Sequence, residues 1–172
     1  SQSGNFVSSF MNWSCATGVG ISRAVSAGNA AATGVADFLT HYADDPHTGV
    51  GLAYVEGIPD GRKFFTSVSA VASRMPLVVV KGGATAGGAK AAASHTGSLS
   101  SDDRTFDGAC RQAGVTRAAN VEEAFEAAAT FATQPLPHGN RVVVVTTAGG
   151  WGVVTADAIT RQFQENDAES VH

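Results

Sequence analysis

Short runs of β-branched residues alternate with alanine-rich stretches whose apolar positions recur every three to four residues, the pattern of a parallel sheet covered by helices. Val35, Phe38, Leu39 and Tyr42 fall at i, i+3, i+4 and i+7 and predict a helix ending near Asp44-Asp45-Pro46. Residues 50–55, VGLAYV, read as a strand stopped by Glu56-Gly57. Pro59-Asp60 opens another helix, with Asp60 as N-cap and Phe64, Phe65, Val68 and Val71 toward the core. That helix ends before Pro76. Leu77-Val78-Val79-Val80 has no polar interruption, as a parallel strand buried on both faces requires, and it ends at Lys81-Gly82-Gly83. Small residues over 84–93 then carry the chain to His95. Helical patterns around 106–113 and 122–131 bracket a short Val115-Thr116-Arg117 strand.

The stretch 134–140, QPLPHGN, marks a boundary. Beyond it Val142-Val143-Val144-Val145 starts a strand that leads through Thr147-Ala148-Gly149-Gly150 into a helix carrying Val153, Val154 and Ile159. The opening of the chain repeats this shape without the strand: Ser1-Gln2-Ser3-Gly4 precedes a helical stretch through Phe6, Phe10 and Trp13. The pattern predicts an α/β, doubly wound parallel sheet over residues 1–139 that lacks its first strand. The first strand and helix of a second similar domain follow over 140–172, the whole being a fragment of a longer polypeptide.

Composition narrows the function classes. Apolar residues make up 44% of the chain and charged residues 15%, against a usual charged share of about 25%, so part of the surface is expected to lie against other domains or subunits. The net charge of −4 and the absence of a Lys/Arg cluster give no footing for nucleic acid or an anionic membrane. No apolar run is long enough for a membrane helix and no signal segment opens the chain, so a cytoplasmic location is expected. Cys15 and Cys110 show no metal-ligand spacing and are expected to be buried, reduced thiols; no metal site is expected. His41 and His47 are expected to be solvated, and Asp102, Asp103 and Asp107 to be charges at a helix start. Lys81 fits either a phosphate contact or a strand-end side chain facing solvent.

The candidate chemistry concerns phosphate. A helix N-terminus gathers unpaired N–H groups and about half a positive charge, so Ser3-Gly4 and Gly149-Gly150 are candidate anion sites. Each is also compatible with an ordinary tight turn before a helix. His95, in Ser94-His95-Thr96-Gly97, is a nucleophile that could accept a phosphoryl group if a partner fixed its tautomer. Glu56, at a strand end where ligands of parallel sheets gather, is the candidate partner. On residue chemistry alone, a histidine in such a loop is more often solvated than catalytic.

The segments Val80-Lys81-Gly82-Gly83 and Ala86-Gly87-Gly88-Ala89-Lys90-Ala91-Ala92-Ala93-Ser94-His95-Thr96-Gly97-Ser98-Leu99 resemble the active-histidine region of ADP-forming acetyl-CoA synthetases and their relatives, the succinyl-CoA synthetases. Ser1-Gln2-Ser3-Gly4, Gly28-Asn29, Ala43-Asp44-Asp45-Pro46, Tyr54-Val55-Glu56-Gly57-Ile58, Gln112-Ala113-Gly114-Val115 and Thr147-Ala148-Gly149-Gly150 also resemble that family and follow its order. The resemblance covers nearly the whole chain and implies a flavodoxin-like, succinyl-CoA synthetase-like domain. It places the phosphorylated histidine on His95, its stabilising carboxylate on Glu56, and the two phosphate-cradling helix starts on Ser3-Gly4 and Gly149-Gly150.

By the same resemblance the activity is that of an NDP-forming acyl-CoA synthetase, an acid-thiol ligase. Acyl-CoA, phosphate and a nucleoside diphosphate become carboxylic acid, CoA and a nucleoside triphosphate, with the phosphoryl group relayed through His95. The implied partners are a CoA-binding Rossmann domain, an ATP-grasp domain and a small carboxylic acid or acyl-CoA, in an oligomer. No cofactor is expected to stay bound to this fragment; CoA, phosphate and ATP or ADP with Mg belong to the full enzyme. Thr147 and Trp151 depart from the family, which usually has Asn before this Ala-Gly-Gly and Pro after it. They are candidates for the substrate pocket, where the Trp151 indole either narrows the space or packs on a neighbouring domain. The alternative function is a non-catalytic regulatory or ligand-sensing domain of a lysine acyltransferase-type fusion protein, in which the active histidine is often lost. A phosphorylated receiver domain would need an acidic pair and a strand-end Asp that the chain does not show.

Overall fold

A computed structural model describes residues 1–30, 32–85, 87–88 and 102–169, the last five of these as backbone only. The chain divides between Pro135 and Leu136, inside the linker expected from the sequence. In the first unit the elements run α1 (Gly4–Thr17), α2 (Val35–Ala43), β1 (Gly51–Val55), α3 (Gly61–Ala72), β2 (Leu77–Lys81), α4 (Asp103–Gln112), β3 (Thr116–Ala118) and α5 (Val121–Thr133). The three strands are parallel in the order β1-β2-β3. Gly51 faces Leu77 and Val55 faces Lys81, while Val78 faces Thr116.

Side chains of β2 alternate between two cores, as the period of a strand dictates. Leu77 and Val79 pack with Val35 and Leu39 of α2, Val68 and Val71 of α3, and Phe106 and Cys110 of α4. Val78 and Val80 turn the other way, toward Ala118 and Ala124. Phe10 of α1 joins α5 on this second face, its ring 5.6 Å from that of Phe125. Helices therefore cover both faces, and β2 can be apolar throughout. Local signals agree with this layout. Asp60, Asp102 and Asn120 each cap a helix by accepting an N–H three residues on. Gly18 ends α1 at φ 75°, a left-handed conformation that a side chain would oppose, and its N–H closes on Ser14 O.

Several expectations need correction. Lys81 neither faces solvent nor stands at the surface: its side chain is 1% exposed, with Nζ 3.4 Å from an Asp103 carboxylate oxygen and 5.7 Å from the Phe106 ring centre. Asp103 and Asp107 are also more than helix-start charges. Arg117 grips both oxygens of Asp103 at 2.7 and 2.8 Å and reaches Asp107 at 3.1 Å. Local spacing could not reveal this, because each pair joins different elements. Burial pushes the Asp103 carboxyl up, but the hydrogen bonds and charges of Arg117 and Lys81 outweigh it and hold the group below the usual carboxylate range. Cys110 is buried as expected, whereas Cys15 is exposed on α1.

The second unit consists of an irregular segment and α6 (Gly149–Glu169). The expected strand at 142–145 is not formed among the described residues. A strand exists only against a hydrogen-bonded neighbour, and here Val143 and Val145 are 84% and 91% exposed. The helix after it is formed as expected. No helix among the described residues is long and apolar enough to cross a membrane.

Leu77→Ala should destabilise the first unit by about 2–5 kcal/mol, because the side chain is 1% exposed at the centre of the larger core; urea titration measures this. The depressed Asp103 carboxyl contributes stability above its unfolded-state pKa and loses it as pH falls through the lower folded-state value. Denaturation midpoints of the parent should therefore fall through the acid range more steeply than those of Asp103→Asn.

Candidate functional site

The level ends of β1 and β2 create a rim on which the first group of candidate residues meets. Glu56 follows β1 and is only 9% exposed. Tyr54 stands two residues before it, hence on the same side of the chain, and its hydroxyl donates to Glu56 Oε1 at 3.0 Å. Burial first, then the hydrogen bond to Glu56 and its charge, push the Tyr54 hydroxyl up to about 12. It therefore remains a donor throughout the physiological range. Gly82, just past β2, permits this approach: a Cβ there would lie 2.5 Å from Tyr54 Oη and 3.2 Å from Glu56 Cγ. Its N–H donates to Val55 O at 2.8 Å and closes the rim.

Gln2 ties the opening of α1 to this rim. Its backbone N–H donates to Tyr54 O at 3.1 Å. Its side-chain oxygen accepts the N–H of Glu56 and, at 3.1 Å, that of Gly57, while its Nε2 donates to Gly57 O at 3.0 Å. One amide thus satisfies three backbone groups of the turn that carries Glu56. Ser3 is the N-cap of α1, and its side chain makes no capping bond, so the first N–H groups after Ser3-Gly4 are not claimed by it. The Phe6 ring, 4.2 Å from that of Tyr54, holds the first turn of α1 against β1. The structure thus brings Ser3, Gly4 and Glu56 to one locality.

The other candidates belong to the second unit or fall outside the described residues. Gly149 and Gly150 open α6 in the second unit, where the N–H groups of Trp151 and Gly152 return to Ala148 O at 3.1 and 3.3 Å. Thr147 is exposed, and Trp151 is 72% exposed. His95 lies outside the described residues. Among the described residues, no group of three His, Cys, Asp or Glu side chains is placed to hold a metal ion.

Sequence reasoning missed Gln2, Tyr54 and Gly82. Tyr54 could have been found from the strand period, which sets residues 54 and 56 on one side. Gln2 offered no such signal, since its partners are more than 50 residues away.

At this rim a carboxylate is held in one orientation beside a helix start, an arrangement suited to a cationic imidazole and a phosphate group. Residues 1–131 match the family described as succinyl-CoA ligase like flavodoxin domain. The chain is 42% identical over 158 residues to the alpha subunit of acetate–CoA ligase [ADP-forming] I of Pyrococcus furiosus, covering 92% of this chain and 34% of the relative. It is 45% identical over 160 residues to acetate–CoA ligase [ADP-forming] I of Archaeoglobus fulgidus, covering 92% and 23%. Among solved structures it resembles a dinucleotide forming acetyl-coenzyme A synthetase 1 of Ca. Korarchaeum cryptofilum in complex with phosphate and ADP, with TM-score 0.85 and 39% identity over 93% of this chain and 35% of that one. The chain spans about a third or less of the curated relatives it matches. The chain therefore belongs to the family of succinyl-CoA ligase like flavodoxin domains.

Proposed function

We propose that the chain is the phosphohistidine domain of an NDP-forming acyl-CoA synthetase, and that His95 carries the phosphoryl group. The observation that carries this reading is the buried Glu56 carboxylate, fixed by Tyr54 beside a helix opening that Gln2 attaches to the same turn. A carboxylate in that position accepts the Nδ1–H of an imidazole, leaves Nε2 as the nucleophile and stabilises the cation formed when the N–P bond is made. Inorganic phosphate displaces CoA from the acyl-CoA to give an acyl phosphate. His95 then takes the phosphoryl group, releasing the carboxylic acid, and passes it to a nucleoside diphosphate.

Ser3-Gly4 and Gly149-Gly150 are each, in this reading, a phosphate-binding helix start. Each helix is worth roughly 0.3–1 kcal/mol when exposed and up to about 2 kcal/mol when partly buried, so N–H hydrogen bonds and Glu56 supply much of the remainder. Thr147 and Trp151 bound the acyl pocket. Residues 140–172 open a second domain of the same type. The CoA-binding and ATP-grasp domains, with CoA and Mg-nucleotide as their ligands, complete the catalyst. The partial coverage of the relatives supports such further domains.

With its nucleotide-binding partner and labelled nucleoside triphosphate, the chain should gain an acid-labile, base-stable phosphoryl group. His95→Ala should not label, and equal labelling of that variant would remove the assignment. A regulatory domain would show no labelling of the parent but a thermal shift with acyl-CoA. Glu56→Gln should slow labelling by about 10–100-fold. Gln2→Ala strips buried N–H groups of their acceptor, so it should cost about 1–3 kcal/mol in urea unfolding and slow labelling as well.

A further inference from the structure

The residues that carry His95 connect the end of β2 to the start of α4, so their two attachment points are Lys81-Gly82 and Asp102-Asp103. The first stands on the rim of the candidate site. Lys81 pairs with Val55, the last residue of β1, and Gly82 lies against Tyr54 and Glu56. The second is brought to the same strand tip by charge. Lys81 Nζ is 3.4 Å from Asp103 Oδ1, and Arg117 of β3, the strand on the other side of β2, holds both oxygens of Asp103 at 2.7 and 2.8 Å. Arg117 also donates to the Asp103 carbonyl at 3.3 Å and to Asp107 at 3.1 Å. Both cations approach the Phe106 ring, at 5.7 Å for Lys81 Nζ and 5.4 Å for the Arg117 guanidinium carbon.

Stability alone does not account for a buried ammonium at this place. β2 is apolar at the preceding positions 77–80, and one more apolar side chain would pack on Phe106 with no charge to desolvate. Buried ion pairs add little over such packing. An apolar contact, however, tolerates small slides, whereas a two-pronged guanidinium-carboxylate pair fixes direction as well as distance. Asp102 ties the rest of the turn to the same point, accepting the Thr105 N–H at 2.8 Å and the Thr105 hydroxyl at 2.9 Å. The whole first turn of α4 is therefore registered against the tip of β2.

We propose that Lys81, Asp103 and Arg117 are positioning residues for phosphoryl transfer, a clamp that holds the returning stem of the His95 segment at the strand tip beside Glu56. The proposal rests on His95 being the phosphoryl carrier. A group on a tethered segment gains rate from the tether and from its placement, and the two differ in size. Unwinding one turn of α4 would lengthen the tether over residues 82–102 by about four residues, which changes ring closure by less than about twofold. A misplacement of about 1 Å can cost on the order of 100-fold in rate. A clamp that sets placement is thus separable from a link that merely shortens the tether.

The test measures single-turnover labelling from the nucleoside triphosphate, with the nucleotide-binding partner present, at a temperature where every variant is folded. It compares the parent with Lys81→Met, Asp103→Asn and Val78→Ala. Val78 packs in the core that does not contain Phe106, so Val78→Ala reports lost stability without a loosened clamp. Each cluster variant should label about tenfold or more slowly, at an unchanged half-saturating nucleotide concentration, with faster hydrogen exchange at the Thr105 and Phe106 amides than in β2. Val78→Ala should label within about twofold of the parent. Should Asp103→Asn not fold, Lys81→Met, which leaves Arg117 on Asp103, reads the same rate. Cluster variants that label within about twofold of the parent would overturn the clamp and leave the His95 assignment standing. Equal slowing by Val78→Ala would also overturn it, as an effect of stability. A parent that takes no label would remove the His95 assignment and the clamp together.

Discussion

Parallel strands need crossovers, and crossovers oblige every strand in the first unit to end on the same side. Val55 and Lys81 are paired in register, so the two tips lie level. The candidate chemistry follows from that geometry. Glu56 leaves one tip and Gly82 leaves the next, close enough that even a methyl group on Gly82 would collide with the Tyr54 hydroxyl. The opening of α1 reaches the same rim, the side on which ligands of parallel α/β sheets gather.

Polar burial around these tips takes two forms. Gln2, Tyr54 and Glu56 form a hydrogen-bonded cluster that leaves one carboxylate oriented. Lys81, Asp103 and Arg117 form an ion-paired cluster that joins the end of β2 to the start of α4 and to β3. Such pairs add little net stability compared with apolar packing, yet removing one member strands the other's charge. What this second cluster supplies is a fixed position for α4 relative to the strand tips.

Elements defined by their own periodicity were legible in the sequence. The stripe Val35, Phe38, Leu39 and Tyr42 lies within α2, Asp60 caps α3, and the uninterrupted run 77–80 is the strand buried on both faces. Features that depend on a distant partner were not. Lys81 looked like a strand-end cation until Asp103 and Phe106 enclosed it, and Gln2 looked like part of a glycine turn until its amide met residues 56 and 57. The valines 142–145 carry strand propensity, but propensity supplies no neighbour. The place of Glu56 at the end of a strand was legible and the strand period set Tyr54 on its side, whereas the close approach of Gly82 to both became visible only in three dimensions.

The unequal surroundings of the two cysteines have a practical consequence. Burial pushes the Cys110 thiol up to about 11, with Arg117 opposing the shift and Asp107 adding to it, so this sulfur stays protonated and shielded. Cys15 stands exposed three residues before the Gly18 terminus of α1. A maleimide dye would therefore decorate one helix at one site without mutagenesis, giving a spectroscopic reporter on the same helix whose opposite end approaches Glu56.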